Sequence, residues 1–130
     1  MEQIEIIAEK AGRLLQAKIE QNGEKMTFKR QRTFEICTEN NRFTCTLELD
    51  ISFKGLQPDG SAFNQAEIFL LPEEFSIFTS TLSEHRYPFP THYRQWQNAN
   101  PNIVSVCLES TEPPEHFAER LSAALTVLER

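Results

Sequence analysis

From Phe43 to Phe53 the chain alternates almost without a break. Phe43, Cys45, Leu47, Leu49, Ile51 and Phe53 fall on one side, and Thr44, Thr46, Glu48, Asp50 and Ser52 on the other. A period of two marks a strand with one face buried and one in water. The stretch from Met26 to Thr38 is also β-like, and Glu39-Asn40-Asn41-Arg42 offers a turn, because Asn tolerates positive φ. The expectation is a central hairpin over about 26–38 and 42–54. With Asn40 and Asn41 as a two-residue loop, Ile36 faces Cys45, Phe34 faces Leu47 and Phe28 faces Phe53. That register sets Arg32 beside Leu49 and Arg30 beside Ile51, two arginines on an otherwise apolar face.

The flanking segments read as helices and short strands. Ile4, Ile7, Ala8, Ala11, Leu14, Leu15 and Ile19 recur at three- and four-residue steps, predicting a first helix that Asn22-Gly23 stops. Lys54 to Asn64 is a loop turning at Pro58-Asp59-Gly60, followed by a short strand over Ala66 to Leu71. Pro72 opens a second helix with Glu73 and Glu74 in its first turn, where their charge complements the helix dipole, and it ends near His85-Arg86. Tyr87-Pro88-Phe89-Pro90 is a stiff connector, since each Pro fixes its own φ and restricts its predecessor. His92 to Gln97 is expected to form a short helical turn, Asn98 to Asn102 a loop, and Ile103 to Leu108 a buried strand. Ser110 or Thr111 then caps a last helix entered through Pro113 and Pro114, with Phe117, Leu121, Ala124, Leu125 and Leu128 inward.

The expected order is α-β-β-β-α-β-α. This is a single α+β domain over 1–130, a mainly antiparallel sheet with helices packed on one face. The length suits one domain with its own core, and ten Phe supply large core contacts. No apolar run approaches a membrane span, the longest being Ile68 to Leu71, and the N-terminus has no secretion signal. Three Cys without a CxxC pair point to reduced thiols and a cytoplasmic location. A net charge of −6 disfavours a phosphate backbone as the main partner.

Few residues carry chemistry. Lys29, Arg30 and Arg32 with Phe28 and Phe34 have the make-up of a basic, aromatic nucleic-acid surface. An edge strand whose charge blocks unwanted pairing, or a twisted strand end beyond the core, accounts for Arg30 and Arg32 more simply. A contact with acids of a second subunit ranks next, and nucleic acid last. Cys37 and Cys45 lie on opposite faces of the expected hairpin, so a disulfide between them is not expected. Cys45 is a small core residue, and Cys107, ending a strand before a helix, reads first as a structural thiol. His85, His92 and His116 are scattered without metal-ligand spacing, and no Gly-rich phosphate loop is present, so neither metal nor cofactor is expected. Tyr87, Phe89, His92, Tyr93, Arg94 and Trp96 concentrate aromatics with Arg, the composition of an interface hot spot or of a minicore that pins the connector.

Tyr87-Pro88-Phe89-Pro90, Asn100-Pro101-Asn102-Ile103 and Cys107-Leu108 together resemble the ubiquitin-conjugating (E2) family. Its members carry a Tyr-Pro-Phe-x-Pro-Pro run, a His-Pro-Asn motif and a Cys-Leu active site. The resemblance implies Cys107 as a thioester nucleophile and Asn102 as the motif Asn, with Asn100 standing where the family has His. This is the enzymatic alternative. The leading expectation is a non-catalytic protein-interaction module (a cytosolic adaptor, chaperone or assembly factor) with a protein partner or a second copy of itself. Small acidic secretion chaperones have a broadly similar mix of helices and strands.

Overall fold

The computed structural model describes residues 2–37, 39–99 and 102–129. Helix α1 (Glu2–Leu15) leads into strands β1 (Lys18–Asn22), β2 (Lys25–Cys37), β3 (Arg42–Lys54) and β4 (Ala62–Leu70). A 3-10 turn (Pro72–Glu74) opens α2 (Phe75–Ser83), and β5 (Tyr93–Ala99), β6 (Val104–Glu112) and α3 (Pro114–Thr126) complete the order. All six strands join one antiparallel sheet in the order β1-β2-β3-β4-β6-β5. The mixed α+β fold matches the expectation, with two strands more than the sequence pattern indicated.

Ile7, Ala8, Ala11 and Leu15 from α1 share one core with Phe28, Leu49, Ile51, Phe53, Ile68, Val106 and Leu108 from the sheet. Phe78 and Leu82 of α2 and Phe117, Leu121 and Leu125 of α3 close the same core. The helices therefore cover one face of the sheet, and α3 packs between α1 and α2. Burial alternates strictly along β4, as a period of two requires.

The first helix stops at Leu15, short of Ile19. Gln16 takes φ 53, its N–H bonds to the Arg13 carbonyl (3.3 Å), and the Ala17 N–H reaches back to the Gly12 carbonyl (3.0 Å). This is a Schellman stop with Gln where Gly is usual, which is why no sequence signal marked it. Released from the helix, Ile19 joins β1 opposite Phe28. Gly12 permits that return, since a Cβ there would sit 2.8 Å from the Ile19 side chain.

The hairpin register differs from the expectation by two residues. Cys37 pairs with Arg42, Ile36 with Phe43, Phe34 with Cys45, Arg32 with Leu47, Arg30 with Leu49, Phe28 with Ile51 and Met26 with Phe53. The loop therefore spans four positions, 38–41, of which Thr38 lies outside the described residues. A slip of two preserves every side chain's face, so the apolar and polar faces survive the correction.

β4 begins at Ala62, ahead of the expected Ala66, because Asn64 occupies a core-facing position that its polarity disguised. Tyr93 to Ala99 forms strand β5 in place of the expected helical turn at His92 to Gln97, paired throughout with β6. β6 runs on to Glu112, so Ser110 and Thr111 belong to the strand, and the last helix begins after Pro113 instead of being capped by either.

Candidate functional site

Arg30 and Arg32 project under the sheet, toward the helices. The Arg30 guanidinium donates to the Leu15 carbonyl at the end of α1 (3.0 Å) and pairs with Glu129 beyond α3. Burial first, and Arg32 second, lower its pKa. Arg32 makes a two-pronged pair with Glu74 (3.0 and 2.9 Å) and donates to the Phe69 carbonyl (2.8 Å), while stacking over Phe34. Glu74 in turn accepts the Leu71 N–H (2.9 Å), fixing the entry to α2. The planar fork of Arg suits this bidentate geometry, and little of either guanidinium remains for an outside partner. β1 covers only Lys25–Lys29 of β2, so the outer edge of β2 from Arg30 onward carries no further strand among the described residues.

The aromatic connector divides between two faces. On the helix side, Tyr87 stacks on His116 (4.1 Å between rings) and Phe89 on Tyr93 (3.9 Å). Beneath them lies a polar network that sequence reading missed. Arg120, 1% exposed, donates to both oxygens of Glu112 (2.6 and 2.8 Å) and to the Tyr87 and Pro88 carbonyls (3.0 and 3.2 Å). Glu112 also accepts from Ser110 (2.6 Å), and buried Asn64 donates to the Glu112 carbonyl (3.0 Å). Burial raises the Tyr93 pKa above its ordinary value. His92 is exposed, and its carbonyl accepts the Thr111 N–H (3.0 Å).

Arg94 and Trp96 point to the opposite face, which no helix covers among the described residues. Arg94 stacks over Trp96 (5.0 Å) and pairs with Glu109 (3.2 Å), and Trp96 is 39% exposed. Strand pairing aligns one row across this face: Lys18, Lys29, Asp50, Glu67, Cys107 and Trp96 stand opposite one another in turn. Asp50 and Glu67 are thus directly opposed like charges, with Glu48 and Glu109 on the same face. Such a pair costs stability; Lys29 stands opposite Asp50 on β2 and the Ser105 hydroxyl donates to Glu67 (2.6 Å), which offset part of that cost. A cavity of about 180 Å³ lies along the row, with Lys25, Asp50, Gln65, Glu67, Trp96 and Cys107 in its wall. Period-two reading of Phe63, Gln65, Glu67 and Phe69 back from Leu70 would have exposed this face, had the strand been started at Ala62.

Cys107 sits mid-strand, five residues short of the end of β6, and does not end a strand just before a helix as the sequence suggested. Burial, then the Glu67 charge, push its thiol pKa upward. Asn102 is exposed between β5 and β6, while Asn100 and Pro101 of the E2-like motif lie outside the described residues. Cys37, Cys45 and Cys107 are all free thiols. Among the described residues no cluster of His, Cys, Asp and Glu could hold a metal ion, and no helix is long and apolar enough to cross a membrane.

Comparison with protein-family models finds no match, and comparisons with curated proteins and with solved structures find none either.

Proposed function

We propose that the chain is a non-catalytic protein-interaction module, a cytoplasmic adaptor, chaperone or assembly factor working as a homodimer. The observation that carries this reading is the uncovered sheet face, with opposed Asp50 and Glu67 at its centre and Arg94-stacked Trp96 at its end. A surface of that kind suits a basic, extended polypeptide segment. An incoming lysine or arginine would add to Lys25 and Lys29 in offsetting the four acids of this face, Glu48, Asp50, Glu67 and Glu109, and an apolar side chain would cover Trp96.

Trp96 is the only tryptophan, so its fluorescence reports directly on this face. Peptides alternating Lys with apolar residues should shift its emission to the blue in a salt-sensitive manner, and Asp-containing counterparts should not. Replacing both Asp50→Asn and Glu67→Gln should weaken the basic peptides selectively. Equal responses to both peptide sets, or none to either, would sink the proposal. The E2-like alternative gains no support from Cys107, because a raised thiol pKa is the reverse of what a thioester nucleophile needs.

A further inference from the structure

The two edges of the sheet are built differently. At the β1 side the outermost strand has only five residues, carrying Lys18 and Glu20, and the strand edge it leaves open holds the inward-pointing Arg30 and Arg32. Short edge strands and inward charges are devices that deter another strand from pairing.

β5, at the other side, has none of them. Its seven residues, Tyr-Arg-Gln-Trp-Gln-Asn-Ala, include no Pro, Lys or Gly, and every one after Tyr93 is exposed. Its one charge, Arg94, is already engaged by Glu109 and Trp96. The hydrogen-bond phase of this edge follows from one contact. Thr111 N–H donates to the His92 carbonyl, and His92 to Thr111 continues the β5–β6 register. Residues 92, 94, 96 and 98 therefore bond inward to β6, and Tyr93, Gln95, Gln97 and Ala99 turn their N–H and C=O groups outward.

We infer that β5 pairs antiparallel with β5 of a second copy about a two-fold axis through Trp96. The two six-stranded sheets then join edge to edge. This register overlaps all seven residues: Trp96 faces Trp96 of the partner subunit, Gln95 faces the partner's Gln97, Arg94 faces the partner's Asn98, and Tyr93 faces the partner's Ala99. It sets an aromatic pair at the axis and opposes no like charges, whereas shifts by two residues shorten the overlap. The strand is complementary to itself in the manner a two-fold interface demands. One strand pair is a small interface, so association depends on concentration. The inference deepens the homodimer part of the proposed function by naming its interface, and it is tested with no other partner present.

The experiment is light scattering with Trp96 fluorescence on the full chain from low micromolar to millimolar concentration. Monomer should convert to dimer with a blue shift of the emission. Gln95→Pro removes an outward N–H from each subunit, two hydrogen bonds per dimer, and should weaken association at least about tenfold. It should spare the monomer fold, because that N–H is not used by β6. Trp96→Lys and Trp96→Glu should each be monomeric, and their equimolar mixture should dimerise. A wild type that stays monomeric at every concentration, or a dimer indifferent to Gln95→Pro, overturns the inference. A charge-swapped mixture that fails to associate overturns the register. Peptide binding on the uncovered face can be measured separately with the monomeric Gln95→Pro chain, so failure of the dimer and failure of the peptide-binding face are told apart.

Discussion

Arg120→Met tests whether the network under the connector supports the whole domain or only decorates it. Met approximates the length of the Arg stem but offers no donor, so the change strips two charge-assisted bonds from Glu112 and one bond each from the Tyr87 and Pro88 carbonyls. Glu112 is then left as a buried carboxylate with the Ser110 hydroxyl as its remaining side-chain hydrogen bond among the described residues. Removing one member of a buried ion pair costs about 3–5 kcal/mol, a large part of the roughly 5–15 kcal/mol that holds such a domain together. At about 2.1 cal/mol/K of unfolding entropy per residue, each kcal/mol corresponds to roughly 3.7 °C, so Tm should fall by about 11–18 °C. Urea unfolding followed by circular dichroism measures the loss, with the slope against denaturant unchanged if only stability has moved. Pairing Arg120→Met with Glu112→Leu should cost much less than the sum of the two single changes, because the orphaned charge disappears with its partner. A single-variant loss below about 1 kcal/mol, or strict additivity, would refute the reasoning.

Three further outcomes are expected. Gln16→Gly should stabilise the domain by about 0.5–1 kcal/mol in urea titrations, since Gly adopts the positive φ of the α1 stop without strain. His85 accepts the Tyr87 N–H at Nδ1 (3.0 Å), and burial lowers its pKa despite Glu119, with Arg120 and Arg86 pulling the same way as burial. The unfolded chain then binds the proton more readily than the folded one. The stability contribution is present above about pH 6.5 and lost as pH falls toward the folded pKa. His85→Gln should flatten that slope in unfolding midpoints taken between pH 7.5 and pH 5. Iodoacetamide labelling followed by mass spectrometry should modify exposed Cys37 well before Cys107, and the Cys107 rate should rise only at higher pH; rapid labelling of Cys107 near neutrality would contradict the environment described for it.

Local pattern was enough wherever a single period ran undisturbed. The alternation from Phe43 to Phe53 dictated a strand, the Phe117–Leu128 spacing dictated the last helix, and Pro72 with Glu73 and Glu74 marked the entry to α2. Those signals suffice because burial on one face is an averaged, short-range demand that any packed partner can satisfy. Pattern failed where a polar residue holds a buried place or a strand lies at the sheet margin. Asn64 and Arg120 look solvent-facing by type, and their burial is tolerable because the fold brings polar partners to them: the Glu112 carbonyl to Asn64, and the Glu112 carboxylate with the distant Tyr87 and Pro88 carbonyls to Arg120. β1 and β5 have mostly exposed side chains, so no apolar rhythm betrays them, and they exist because β2 and β6 offer backbone partners. The hairpin's faces were legible, whereas its register was not, since a slip of two residues leaves the face pattern intact and long-range packing decides between the choices.

Arg30 and Arg32 show the division most plainly. Their sequence neighbours mark two charges on an apolar strand face and stop there. The carboxylates and carbonyls that resolve the conflict, Glu129, Glu74, Leu15 and Phe69, are brought beneath β2 only by the return of the chain through α1, β4, α2 and the segment after α3. Alternation and spacing settled which residues turn inward. Which charges meet, which sheet edge stays open and which face stays uncovered were decided by tertiary structure, because each depends on groups that sequence distance does not bring together.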